Sequence, residues 1–129
     1  MNVFSKLLIA SALACTSLAS HAVAQEVLNV TAESISTEFE TNELKAENKY
    51  KNTAFNVKGT VSSVGKNADG EVYVRLSGGE YDTPFVDALL TPESVEKVIN
   101  LDKGDEVTFH CINADFLVIV NAHSCNIIN

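Results

Sequence analysis

Hydrophobic positions recur at helical spacing over Thr31–Tyr50 and then switch to strict alternation from Phe55 onward, so the chain reads as one helix followed by strands. In the first stretch Ile35, Phe39, Ala46 and Tyr50 fall near one face, with Leu44 slightly off it. The opposite face carries Glu38, Glu40, Glu47 and Lys49 and is expected to be solvated. Thr31 is placed to cap the helix N-terminus, with Glu33 in the first turn where an acid complements the helix dipole. The helix is therefore expected over about 31–51.

Beyond it, Phe55, Val57, Gly59 and Val61 alternate with Asn56, Lys58, Thr60 and Ser62, the pattern of a half-buried strand. Gly65–Gly70 has turn composition. A second strand places Val72, Val74 and Leu76 on one side and Tyr73 and Arg75 on the other. Phe85–Leu90 is a third, more apolar strand. Thr91-Pro92-Glu93 opens a short helix running to about Asn100, with Thr91 as its cap. Val107, Phe109 and Cys111 alternate along a fourth strand, and Phe116–Val120 is expected as the fifth. Helix, three strands, short helix, two strands is the order of a five-stranded OB-fold barrel preceded by an N-terminal helix. Gly59 suits such a barrel because closure needs a position where a strand bends sharply. An open α+β sheet with the same elements is the alternative.

The N-terminus has a different character. Met1–Lys6 carries one positive charge and no acid, Leu7–Ala19 is apolar and small, and Ala22-Val23-Ala24 is a small-x-small site. Together these predict an export signal over 1–24 and a single domain over 25–129, exported to the periplasm or secreted. The apolar run is shorter than the roughly 20 residues a spanning helix needs. Cys15 offers a rival route, lipid attachment after cleavage before it, though Ala12-Leu13-Ala14 is a poor match to such a site.

Cleavage after Ala24 would leave Cys111 and Cys125, and two cysteines in an exported domain point to one disulfide, with two buried free thiols as the alternative. A tight turn near Asn113–Asp115 would set Cys111 opposite about Val118, so pairing would require a further reversal at Asn121–Ser124. The full chain has 9 basic and 17 acidic residues, and loss of Lys6 leaves a net charge of about −9. Such a domain is repelled by nucleic-acid phosphates and anionic membranes.

Asn42–Ala46, Lys49-Tyr50-Lys51, Val57–Val61, Val74-Arg75-Leu76, Leu101–Val107, Cys111 and Cys125, in that order and spacing, resemble the tRNA_anti-like family of exported bacterial OB-fold proteins. The resemblance spans about 31–128. It implies an OB fold with a preceding helix, supports pairing of Cys111 with Cys125, and carries no general catalytic motif. Many members look like lipoproteins, which keeps Cys15 in view.

Candidate chemistry is thin. His123 and Ser124 are neighbours on an expected strand and would point to opposite faces, so they do not read as base and nucleophile. His110, Cys111, His123 and Cys125 match no common zinc spacing, so no metal and no cofactor is expected. OB barrels bind on the face of their second and third strands. That face is expected to carry Lys58, Thr60, Tyr73 and Arg75, with Tyr81 in the adjoining loop. A base or sugar could stack on Tyr73 while Arg75 holds a phosphate or carboxylate. The reading is a non-catalytic binding or accessory protein of the bacterial envelope, with an envelope protein, peptide or glycan as partner. The alternative is an OB protein for single-stranded nucleic acid, against which the net acidity argues.

Overall fold

The computed structural model describes residues 26–78 and 83–129, so the expected export signal and Cys15 lie outside the described residues. In chain order the elements are β1 (Leu28–Thr31), α1 (Ala32–Thr41), α2 (Glu43–Tyr50), β2 (Ala54–Lys66), β3 (Val72–Ser77) and β4 (Pro84–Leu90). A 3-10 turn over Pro92–Ser94 leads into α3 (Val95–Val98), followed by β5 (Glu106–Ile112), β6 (Ala114–Leu117) and β7 (Ile119–Ile127). β2, β3, β4, β7 and β5 pair in that order, and β5 returns to β2, closing a five-stranded barrel. Its neighbours are antiparallel except β4 and β7, which run parallel. This is the OB arrangement, with α3 between the third and fourth barrel strands.

Alternation decides what fills the barrel. Phe55, Val57, Val74, Leu76 and Phe109 are all fully buried, as their spacing predicts, and so is Val86 on β4. At one end α1 and α2 close the barrel with Ile35, Phe39, Ala46 and Tyr50. Phe39 stacks on Tyr50 and on Phe116, at 5.9 and 6.2 Å between centroids, and Tyr50 meets Phe55 edge-on at 5.2 Å. Gly59 sits where a Cβ would lie 2.9 Å from the Leu76 Cβ and 3.1 Å from the Ala32 Cβ. A residue without a side chain is what lets the start of α1 lie on the barrel wall.

The expected single helix is two. Asn42, at φ −157° and ψ 91°, ends α1 and caps α2, its side chain accepting from the Lys45 N–H at 3.1 Å. An asparagine side chain that satisfies backbone donors competes with helix continuation, which is why the break falls there. Thr31 caps α1 as expected, in reciprocal bonds with Ser34. The bend corrects the view of Glu38 as a merely solvated residue. Its carboxylate takes the Lys49 ammonium at 2.9 Å and the Tyr50 hydroxyl at 3.1 Å.

Two further differences lie in the strands. β1 escapes a reading by periodicity because four residues are too few to show one. It runs parallel to β2 beside Phe55–Lys58, along the edge that β3 leaves free. The expected fifth strand, Phe116–Val120, is instead a reversal at Val118 (φ 67°) between β6 and β7, which form a tight hairpin. β7 then continues to Ile127, pairing Phe109 with Ile127 and His110 with Asn126. The next step of that register brings Cys111 opposite Cys125, and the two form a disulfide with Cα atoms 4.1 Å apart. The reversal that permits pairing is thus at Val118, not at Asn121–Ser124. The short helix is also shorter than expected, and Thr91 makes no side-chain cap. Its hydroxyl donates to Asn126 Oδ1 at 2.7 Å instead.

Candidate functional site

Outward positions on β3 and β4 form the face on which OB barrels usually bind. Register pairs Tyr73 with Leu89 and Arg75 with Asp87. Arg75 donates to Asp87 through two parallel bonds, Nε to Oδ1 at 2.8 Å and Nη2 to Oδ2 at 3.0 Å. The Asp87 side chain is 13% exposed and that of Arg75 35%. The Asp87 hydrogen bond, more than any other influence, raises the Arg75 pKa above its already high ordinary value. The guanidinium is therefore always charged, and its charge is already matched by a carboxylate.

Tyr73 is held from two sides. The Arg75 guanidinium carbon lies 5.2 Å from its ring centroid. The ring also lies over Gly65 on β2, where a Cβ would come within 2.8 Å of the Tyr73 hydroxyl oxygen. Tyr73, Arg75 and Asp87 thus make one packed cross-strand unit.

The structure does not bring the rest of the expected site to this unit. Lys58 is registered between Thr31 and Thr108, and Thr60 between Ser77 and Glu106. Tyr73 pairs with Gly65, which is far enough along β2 from Lys58 to separate them by on the order of 20 Å. Lys58 and Thr60 instead line a separate cleft of about 270 Å³ with Thr31, Glu33, Ser77 and Glu106. Tyr81 lies outside the described residues. Asp87 was missed by reading the sequence, although it is the charged residue in an otherwise apolar strand, Phe85–Leu90.

The histidines are engaged separately. His110 Nδ1 lies 2.9 Å from Asn56 Oδ1, and Asn56 Nδ2 donates to Asn29 Oδ1 at 3.1 Å, a polar row across β5, β2 and β1. His123 Nε2 lies 2.9 Å from Asp115 Oδ2 on the β6–β7 hairpin. A bulge at Ser124 (φ 52°) breaks alternation between Ala122 and Cys125. The strict alternation that would set His123 and Ser124 on opposite faces is therefore interrupted here, since a bulge adds an unpaired residue and bends the strand. His123 nonetheless spends its Nε2 on Asp115. With both cysteines joined to each other, the described residues contain no group of three or more His, Cys, Asp or Glu able to hold a metal ion. A larger cleft of about 440 Å³ lies in the bend of α1 and α2, lined by Thr37, Glu38, Thr41, Asn42, Lys45 and Lys49.

Closed barrel, helical cap and cross-strand face define an OB-fold protein with a helical N-terminal extension. The chain belongs to the tRNA_anti-like family, whose model matches residues 7–126. Among solved structures it is similar to a Klebsiella pneumoniae protein provisionally described as a nucleic acid-binding lipoprotein. The two share 14% identity and a TM-score of 0.63, over 80% of this chain and 92% of that one. It is also similar to part of a Leishmania major protein provisionally described as an aspartyl-tRNA synthetase. There the identity is 7% and the TM-score 0.51, over 86% of this chain and 22% of the other. Identities this low speak to the fold alone. No curated protein matches the chain. Among the described residues no helix is long and apolar enough to cross a membrane.

Proposed function

We propose that this chain is a non-catalytic binding or accessory protein of the bacterial cell envelope, acting on a protein, peptide or glycan partner. The observation that carries this reading is the Arg75–Asp87 pair. On the face where an OB barrel would meet a nucleic-acid backbone, the cation is already neutralised in a two-point bond. The net charge of −8 works in the same direction, because phosphate binding depends on uncompensated Lys and Arg. The disulfide supports an oxidising compartment and fits the export signal read at residues 1–24.

Single-stranded nucleic acid is the second reading. It is favoured by Tyr73 lying beside Arg75 on the barrel face and by the description of the Klebsiella protein. In-cell crosslinking followed by mass spectrometry tests the first reading, which expects one stoichiometric envelope partner. Tight binding to single-stranded DNA that weakens steeply with salt would overturn it in favour of the second.

A further inference from the structure

β2 is a 13-residue strand whose two edges are used unequally. On one edge β1 and then β3 pair along its length. On the other, β5 accompanies it only from Ala54 to Thr60. Val61 is the last residue bonded on that side, donating to Asp105 O and accepting from Gly104 N, both at 2.8 Å. Beyond it the register with β3 slips between Val61 and Ser63, placing a bulge at Ser62. A bulge bends and twists its strand, which turns the end of β2 away from β5. Among the described residues, Ser62–Lys66 therefore has a strand partner on the β3 side only.

A cleft of about 370 Å³ separates this end of β2 from α3. Val64, Val72, Val95, Val98 and Ile99 line it, and among the described residues Lys66 is its one charged member. Ile99 is 67% exposed and Val64 39%, so apolar surface on both walls is left uncovered. The other free edges differ. β6 is packed by α2, and the cleft beside β1 is lined half by polar residues, Glu26, Asn52 and Thr53 among them.

We propose that the free edge of β2 at Ser62–Lys66, together with the apolar cleft against α3, takes up an extended segment of a partner protein as an added strand. The main chain of such a segment would satisfy the unpaired N–H and C=O groups of the edge. Alternate side chains of the segment, small and apolar, would enter the cleft, because successive residues of a strand point to opposite sides. An acidic residue of the segment would meet Lys66, a local cation on an otherwise acidic protein. An alkyl chain could fill the cleft but would leave the edge groups to water and gain none of their hydrogen bonds, so the edge favours peptide over lipid.

This inference rests on the binding-protein reading above and names the partner's chemistry. The test uses the purified protein with blocked peptides of about six residues alternating Val and Thr, one ending in Asp and one in Lys. Controls are the Asp peptide with alternate backbone amides N-methylated, and dodecanoate. Hydrogen exchange should slow by roughly tenfold at amides within Ser62–Lys66 when the Asp peptide is added, and not with its N-methylated form. Ile99→Glu should weaken binding roughly tenfold, and Lys66→Glu should reverse the preference to the Lys peptide. Both positions are exposed, so the barrel should be unchanged by circular dichroism.

Equal binding of the N-methylated peptide, protection at β1 or β6 instead, or no binding of either peptide at about 1 mM would each overturn the proposal. So would dodecanoate filling the cleft without displacing bound peptide. A partner crosslinked in cells through another surface would leave the accessory reading intact while this one fell.

Discussion

Arg75 and Asp87 face each other across β3 and β4, joined by bonds of 2.8 and 3.0 Å in a fork-to-carboxylate arrangement. The pair fixes the electrostatics of the barrel's usual binding face and also ties the third barrel strand to the second. Its worth is that of a well-formed cross-strand pair at a partly buried site, about 1 kcal/mol. Arg75→Ala and Asp87→Ala should each destabilise the domain by about that amount, and the double variant by much less than their sum in urea unfolding. Asp87→Asn should in addition raise the affinity for single-stranded DNA above that of the native chain in a salt-sensitive way, measured by fluorescence anisotropy.

The disulfide joins residues 14 apart and is fully buried. Its removal by Cys111→Ala with Cys125→Ala should lower stability by about 3 kcal/mol in the chain-entropy account. Thermal melting of the oxidised chain against the double variant checks this. Labelling of Cys111 or Cys125 by a thiol reagent in denaturant without reductant would contradict the bridge.

Gly59 is pinned between two Cβ atoms that cannot swing aside, those of Leu76 and Ala32. Gly59→Ala should therefore force β2 and the start of α1 apart and destabilise the fold by about 1–3 kcal/mol. Lys58→Ala, next to it but exposed, should change stability by no more than about 0.5 kcal/mol. Equilibrium unfolding of the two variants makes the comparison.

Tyr50 is buried, and its hydroxyl donates to Glu38. Burial first, then the charge of Glu38 and this hydrogen bond, push its pKa well above the ordinary 10.0. The folded state therefore holds a proton that the unfolded chain releases near pH 10. The resulting stability is present below that pH and is lost as pH rises above it. Of the three tyrosines in the chain, the Tyr50 phenolate should appear only together with unfolding. An alkaline titration followed by phenolate absorbance and circular dichroism tests this. All three tyrosines ionising while the fold persists would refute it.

Much of the barrel could be read from alternation, because the side-chain period of a strand is local and each inward residue declares itself. Phe55, Val57, Val74, Leu76 and Phe109 lie inside, as their spacing says. The Thr31 cap was legible for the same reason, since its partner Ser34 is three residues away. The break at Asn42 was also local in cause. It stayed hidden because Ile35, Phe39, Ala46 and Tyr50 keep helical spacing across it.

The candidate site was half legible. Tyr73 and Arg75 share one strand and one face, so their proximity followed from sequence. Lys58 and Thr60 also point outward, but which stretch of a long, bulged β2 lies beside β3 is a matter of register between strands. That register sets Gly65, not Lys58, against Tyr73. Asp87 is 12 residues from Arg75 and meets it only through pairing of β3 with β4.

By itself, then, the sequence determined the switch from helix to strands, the inward faces of β2, β3 and β5 and the acidity of the whole, but not β1, the break at Asn42 or the reversal at Val118. The tertiary structure alone decided which outward residues meet: Asp87 on Arg75, Glu38 on Lys49 and Tyr50, Cys111 on Cys125, and an unpartnered edge at Ser62–Lys66. The physical reason is range. Periodicity and capping act within a turn or a pleat, whereas pairing register and bulges are settled by closure of the barrel around its core.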